Sequence, residues 1–501
     1  MADEGHDAIP TELTRGQARR WRAACASDNP VDQMSPTYLV TDEIDPLLLG
    51  RALARVVRQH APLRTRIVAG PDGEPVATLR AAPDSYPVKV VDLTGQPTER
   101  QADASTRFGA TDSAVPVDLA TDWPMRVTLV TLEPRRHLLF LTISHVVADG
   151  WSCGVVIRGI QSHFRALSRG EATDPGDPQK ALEAAWAAFV AESAERERSG
   201  WYTRDLGWWR RRLGGAFGVP ASDAGPGKGS GESPGEGARS TVALSLPFGL
   251  PDPLGKGMRQ LASSLRSTTF TITLAALAAV LADLTGTPET VVSVPYAGRE
   301  EEEHEPLVGL FSDRLLLRVP VDRTATFPEL VEQAQDVLLD AVDHASTPSY
   351  LVEEALAQDD PEAAHAPSVC MQIYPRSMCD AEPTEPGDLA FRLLGFRTPA
   401  LHDGLALHMV EPDGGPTTGR LTHLPSFMNP AQAAEFLVFL FRVLSTAVRD
   451  QGCSVAEILR AARRGTGAEG GIEVGMGAGT SDDVVLWEQD DWVAASARSH
   501  P

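Results

Sequence analysis

Cysteine is scarce in this chain and never paired. The five residues Cys25, Cys153, Cys370, Cys379 and Cys453 are odd in number, widely spaced and nowhere arranged as Cys-x-x-Cys. That argues against a disulfide framework and against a cysteine-based zinc site. Positive charge is also short: 45 Lys and Arg face 68 Asp and Glu, a formal charge of −23. Grip on a nucleic-acid backbone needs clustered cations, so a nucleic-acid role is not expected. No stretch approaches ~20 uncharged apolar residues, and no membrane span is expected. The first residues, Met1 to Asp7, are acidic and lack an apolar signal core, which predicts a cytoplasmic protein. Phosphate loops are missing too. Gly227-Lys228-Gly229-Ser230 has the wrong spacing and no strand before it, and no βαβ unit surrounds the glycines at 475–479. The run Glu300 to Glu303 reads as a solvated loop face.

What is present is a globular composition, 42% hydrophobic and 23% charged, over 501 residues. That length exceeds one ordinary core and predicts two or more domains. We place a first unit at 1–175, a second at 176–464 and a mobile Gly-rich tail at 465–501. Residues 46–60 carry Leu49, Leu53, Val56 and Val57 at helical spacing. Residues 125–130 and 138–143 read as strands joined by a turn at Glu133 to Arg136. Residues 181–213 read as helical, and the Trp208-Trp209 pair within them as packing. Residues 221–239 cannot bury enough apolar surface and read as a flexible loop. The second half predicts strands at 241–246, 291–294 and 315–319, and helices at 271–284, 330–343 and 431–448. The apolar Val484 to Trp487 is suited to docking either on a partner or on the body of the protein.

The most informative stretch runs from Leu138 to Ser152. An apolar strand ends at Ser144-His145, and Asp149-Gly150 follows four residues later. A strand end fixes an imidazole while the following loop keeps it accessible, as a positioned base requires. Gly150 is expected to supply backbone freedom for a sharp turn, folding Asp149 back beneath the ring. Cys153 reads as a small buried residue rather than a nucleophile.

His-x-x-x-Asp-Gly after a strand resembles the active-site motif of the condensation domains of nonribosomal peptide synthetases, within the wider CoA-dependent acyltransferase superfamily. That family usually has two adjacent histidines; Ser144 stands at the first and His145 matches the second, the catalytic one. Trp151-Ser152 matches the Trp-Ser that follows. Thr14, Gln17 and Trp21 resemble the opening-helix signature. Arg58, His60, Leu63, Arg64 and Thr65 resemble its Arg-His-x-x-Leu-Arg-Thr segment, with Gln59 as an extra residue. Val117-Asp118-Leu119 and Pro124-Met125-Arg126 resemble the segments before the active-site strand. Pro295, Gly298 and Arg299 resemble the strand end Pro-x-x-Gly-Arg. Gly309, Phe311, Asp313, Leu315 and Arg318 follow its Gly-x-Phe-x-Asn-x-Leu-x-x-Arg motif, with Asp313-Arg314 where the family mostly has Asn-Thr. His344 to Pro348 resembles Ala-x-x-His-x-x-x-Pro.

The resemblance implies an α/β (α+β) fold of two chloramphenicol-acetyltransferase-like lobes, set in a V as a pseudo-dimer with the active site in the cleft. It implies an amide- or ester-forming acyltransferase with His145 handling the proton of the acceptor. Asp149 is then a structural support paired with an Arg, either Arg299 or Arg64. Gly150 supplies close approach and an N–H for the oxyanion. Ser144, Trp151, Ser152, Ser312 and Asp313 are expected to bind substrate. No resident cofactor or metal is implied; the acyl donor arrives on the phosphopantetheine of an acyl or peptidyl carrier protein, or as a CoA thioester. The acceptor is a small-molecule amine or alcohol, and a monomer is expected. Degenerate members of such a family serve instead as non-catalytic recruitment platforms, and Ser144 and Asp313-Arg314 keep that reading open. Arg19, Arg20 and Arg22 are candidates for carrier docking, against the plainer reading of an exposed helical face.

Overall fold

The β-branched and aliphatic runs of the chain assemble into three sheets in the computed structural model, which describes residues 9–26, 32–171, 178–216, 243–359, 369–385, 388–397, 404–411, 417–464, 474–476 and 484–486. A small sheet has the order β1-β4-β3, from β1 (Ile9–Thr11), β3 (Thr65–Ala69) and β4 (Pro75–Leu79). A five-stranded sheet has the order β12-β2-β7-β6-β5. It comprises β2 (Gln33–Thr41), β5 (Val88–Asp92), β6 (Met125–Glu133), β7 (Arg136–Ser144) and β12 (Ala390–Arg397). An eight-stranded sheet has the order β10-β9-β11-β13-β14-β8-β16-β15. Its strands are β8 (Leu244–Gly249), β9 (Glu289–Tyr296), β10 (Asp313–Pro320), β11 (Val369–Pro375), β13 (Leu405–Glu411), β14 (Thr418–His423), β15 (Val474–Met476) and β16 (Val484–Leu486).

The first half contributes α1 (Arg15–Ala26), α2 (Pro46–Gln59), α3 (Thr98–Ala114), α4 (Gly150–Ser168), α5 (Gln179–Arg198) and α6 (Thr203–Leu213). The second adds α7 (Asp252–Ser264), α8 (Thr269–Thr285), α9 (Phe327–Val342), α10 (Ser349–Asp359), α11 (Arg376–Cys379), α12 (Pro430–Arg449) and α13 (Val455–Arg464). Local chemistry sets their ends. Thr268 caps α8 by accepting from the Thr271 N–H at 3.1 Å, and Gly286 closes it in the left-handed region at φ 73°. Reciprocal boxes start α9 (Thr326 with Glu329) and α12 (Asn429 with Gln432).

The alternation predicted for 125–130 and 138–143 becomes the β6–β7 pair, joined at Pro134-Arg135. The helix predicted at 181–213 is two helices. Gly200 adopts φ 71° between α5 and α6, a conformation that ends one helix before the next starts. Trp209 is buried in the core at the end of this segment, and Trp208 stacks on His344 at 4.0 Å. The strand expected at 241–246 lies at β8, three residues later. The loop expected at 221–239 lies outside the described residues. Of the tail, β16 pairs with β8 antiparallel and β15 pairs with β16, so Val484–Leu486 sits on the body of the protein. Among the described residues α12 is the one single helix long and apolar enough to cross a membrane. Its Phe436, Leu437, Leu440, Phe441 and Leu444 are instead packed in the core.

Two main apolar cores result. One surrounds α8, whose residues from Thr271 to Ala282 are all buried, between the eight-stranded sheet, α9 and α12. The second lies between the five-stranded sheet, α2 and α4. The boundary drawn at 175/176 does not divide them cleanly. β12 pairs antiparallel with β2, and Tyr374, Leu389, Phe391, Leu393 and Val410 belong to the core of the first half. Gly154 on α4 marks how close this crossing brings the chains: a Cβ there would meet the Met378 carbonyl oxygen at 2.1 Å.

Candidate active site at the strand–helix loop

β7 ends at Ser144 and α4 starts at Gly150, so residues 145–149 form a short loop with a rigid element on each side. Several of its polar groups are tied down. The His145 N–H donates to the Asp32 carbonyl at 3.0 Å, and the Val147 N–H to that of Ser144 at 3.3 Å. Gln17 Nε2 donates to the Val146 carbonyl at 3.0 Å. Gln17 is itself fixed at the start of α1: its side-chain oxygen accepts from the Thr14 N–H, and Thr14 Oγ1 accepts from the Gln17 N–H. The Thr-x-x-Gln spacing seen in the sequence is therefore a cap whose last residue reaches into the loop.

His145 Nδ1 lies 2.9 Å from the Ala148 carbonyl oxygen. A carbonyl only accepts, so Nδ1 carries the proton and the neutral ring presents a lone pair at Nε2. Nε2 makes no hydrogen bond among the described residues. Burial, and then the Arg20 guanidinium, push the imidazole down to about 4, although Asp32 and Asp149 pull the other way. The ring is thus neutral at neutral pH. Arg20 and Asp32, which the sequence reading did not connect to the site, form a two-point pair at 2.6 and 2.8 Å behind it. A separation of twelve positions and no recurrent spacing hid that pair.

Asp149 does not lie beneath the ring as a direct partner. It caps α4 and is fully buried. Its carboxylate accepts from the Ser152 N–H (2.9 Å) and hydroxyl (2.8 Å), the Arg299 guanidinium (2.8 and 3.1 Å), and the N–H groups of Phe311 (3.1 Å) and Ser312 (3.0 Å). Burial alone would raise this carboxyl, but Arg299 and the Ser152 bonds hold it below the usual carboxylate range. The partner is Arg299; Arg64 instead pairs with Glu183 and donates to the Arg80 carbonyl.

The two second-half motifs explain how Arg299 arrives. Gly298 adopts φ 65°, and a Cβ there would lie 2.1 Å from the Phe311 carbonyl oxygen, so only glycine lets the segments touch. At Gly309 a Cβ would strike the Trp186 ring at 2.2 Å, and its N–H donates to Ser152 Oγ at 3.1 Å. The Phe311 ring lies under the Arg299 guanidinium at 4.4 Å.

Gly150 differs from expectation. Its φ is not positive, and it is simply the first residue of α4. A Cβ there would sit 3.5 Å from the Tyr374 ring, an ordinary contact. The expected substrate contacts also sort themselves physically. Ser152 is fully buried, with its hydroxyl among Asp149, Gly309 and Arg299, and serves as a strut. Ser144 is buried at the end of β7, its hydroxyl near the Val146 N–H. Asp313 accepts from the N–H and hydroxyl of Ser349 at the start of α10. Ser312 and Trp151 are partly exposed beside the loop, the Trp151 indole donating to the Glu305 carbonyl at 2.9 Å. Cys153 is buried, and burial pushes its thiol well up. Arg19, Arg20 and Arg22, considered for docking, each pair with carboxylates, respectively Glu353 and Glu354, Asp32, and Glu74.

The family model for the condensation domain matches residues 10–397. The chain is 30% identical over 375 residues to the phosphinothricin tripeptide synthetase PhsB of Streptomyces viridochromogenes, covering 72% of this chain and 30% of that protein. It spans less than a third of the length of the curated relatives it matches first. Among solved structures, it resembles the first condensation domain of the calcium-dependent antibiotic synthetase in complex with a substrate analogue. The TM-score is 0.74 at 20% identity, covering 90% of this chain and 99% of that one. It also resembles the X-domain from teicoplanin biosynthesis, with a TM-score of 0.69 at 21% identity, covering 91% and 98%.

Proposed function

The chain belongs to the condensation-domain family of nonribosomal peptide synthesis, and from that premise we propose that it is an acyltransferase that joins a carrier-bound acyl thioester to an amine, giving an amide. The donor is held on the phosphopantetheine arm of a carrier protein. In this reading the two apolar cores belong to two lobes set in a V, with the loop 145–149 at the cleft between them. One observation carries the catalytic reading: the His145 ring is fixed by the Ala148 carbonyl so that Nε2 presents a lone pair at neutral pH.

Transfer requires the amine to approach the thioester carbonyl, the tetrahedral oxyanion to be stabilised, and a proton to leave nitrogen as the thiolate departs. Nε2 orients the incoming amine by accepting its N–H, then takes the proton that the nitrogen of the tetrahedral adduct gives up as the thiolate leaves. The N–H of Gly150, at the start of α4, faces the developing oxyanion with the favourable end of the helix dipole behind it. An imidazole held at about 4 is a poor base toward an unactivated alcohol, which favours the amine over the hydroxyl acceptor. Asp149, Ser152 and Arg299 act through loop shape.

The test is turnover followed by mass spectrometry. Wild type and His145→Ala are offered carrier-bound acyl thioesters, the matching CoA thioesters, amines and alcohols. Product from wild type alone supports acyl transfer through His145, and the productive pair identifies donor and acceptor. Ser144, in place of a histidine, is the feature that favours the second reading, a recruitment platform. Equal background product from both proteins, with carrier binding intact, would establish that one instead.

A further inference from the structure

The eight-stranded sheet carries a polar row. Gln372 on β11 is the Cα partner of His408 on β13, and His408 is that of Arg420 on β14. The alternate positions Met371, Leu407 and Leu421 enter the core around α8, so the row lies on the opposite face. That face turns toward the first half. Tyr374, two residues beyond Gln372, stacks on Phe396 of β12 at 4.7 Å and reaches Gly150 at the start of α4. Arg420 Nη1 donates to the Phe396 carbonyl at 3.0 Å. Two residues of strand span roughly 6.6–6.8 Å, so Gln372 stands that far along β11 from Tyr374, whose ring lies beside Gly150 at the start of α4.

Both ring nitrogens of His408 are buried, and neither has a hydrogen-bond partner among the described residues. On the same face, beside Cys370, the Ser293 hydroxyl is in the same state. Buried polar atoms are almost always paired, and an unpaired one costs on the order of 1–3 kcal/mol. Packing alone would be served better by Leu or Phe. His408 keeps some exposure as a residue while both ring nitrogens are closed to solvent, so a group that pairs with them must displace a neighbouring side chain. Burial and Arg420 push the imidazole down to about 4, leaving one N–H donor and one lone pair at neutral pH. A hydroxyl or carboxamide can pair with either nitrogen, accepting from the N–H or donating to the lone pair. A carboxylate satisfies only the N–H, and an ammonium is repelled by Arg420.

Building on the acyl-transfer reading, we propose that Gln372, His408 and Arg420 form a subsite for a neutral hydrogen-bonding substituent, a hydroxyl or carboxamide, with His408 the residue that selects it. The substituent belongs to the acyl donor or to the acceptor, and the two arms of the test separate them.

The full-length protein is assayed with butyryl and 3-hydroxybutyryl N-acetylcysteamine thioesters on one arm, and with alanine amide and serine amide on the other. Wild type is expected to favour the hydroxylated member of one pair about tenfold in kcat/KM, the scale of one hydrogen bond. His408→Phe should bring that ratio near one. His408→Gln, which keeps a donor and an acceptor, should restore part of the preference. Circular dichroism checks that each variant is folded. The same probes are titrated into 15N-histidine-labelled His145→Ala protein, where a shift of the His408 ring signals with only the hydroxylated probe supports the subsite even if no turnover occurs. A ratio near one in wild type on both arms, or unmoved in His408→Phe, together with unmoved ring signals, overturns it.

Discussion

Arg299 and Asp149, 150 residues apart in the chain, meet as a fully buried two-point ion pair at 2.8 and 3.1 Å. One comes from the second half of the protein and the other from the loop that carries His145. The pair therefore joins fold to chemistry, and removing one partner strands a charge in a dry site. Asp149→Ala is expected to cost about 3–5 kcal/mol in urea unfolding. Arg299→Lys keeps the charge but loses the planar fork, and should fall well short of wild type. A cost under about 1 kcal/mol for Asp149→Ala would show that the pair does not hold the loop.

Gln17 is a positioning residue for the same loop. Gln17→Ala removes the donor to the Val146 carbonyl and should cost about 1–2 kcal/mol. A merely structural role would change stability alone. A positioning role predicts in addition that kcat falls with KM unchanged, and that the His145 ring resonances move in nuclear magnetic resonance spectra.

Two glycines should behave in opposite ways. Gly298→Ala combines a positive φ with a 2.1 Å clash against the Phe311 carbonyl oxygen, and is expected to lose about 3 kcal/mol or more, or to fail to fold. Gly150→Ala meets only the Tyr374 ring at 3.5 Å. It should fold with a melting temperature near wild type, and show its effect in turnover alone. Equal thermal stability for the two variants would contradict this account.

Acid should destabilise the protein through its buried histidines. Burial, with His163 adding to it, pushes His60 down to about 4. The unfolded chain takes up that proton near 6.5, so between pH 6.5 and 4 the unfolded state binds more protons and stability falls as the pH falls. For His60 the loss at pH 5 relative to pH 7.5 is on the order of 2 kcal/mol. His60→Asn should flatten the pH dependence of the urea midpoint by about that amount. An unchanged slope would mean that His60 is not buried neutral.

Much of this was legible in the sequence because local rules decide it. The β6–β7 hairpin, α2, α8 and the loop after Ser144 follow from apolar period and turn chemistry. The choice between Arg299 and Arg64 was not legible, since it depends on which segment the glycine at 298 lets approach. The break at Gly200 was masked by the helical periodicity on both sides. The family resemblance makes Ser152 a substrate contact, whereas α4 turns its hydroxyl inward. Gly150 looked like a turn residue, yet its φ is ordinary and the space beside it is what matters. His408 gave no signal at all: it is one histidine in a strand, and its isolation appears only when three strands align.

The placement of β12 has a consequence for how the protein is made. β2 emerges from the ribosome early, but the strand that covers its outer edge ends at Arg397. At ~5–20 residues per second, an open edge persists for on the order of tens of seconds while the ~350 residues between Thr41 and Ala390 are synthesised. An uncovered edge is a template for pairing with another nascent chain. Yield should therefore depend on translation speed and on holding factors more than on final stability, and expressing residues 1–175 alone should give an aggregating fragment, because the sheet it contains is finished by a strand it lacks.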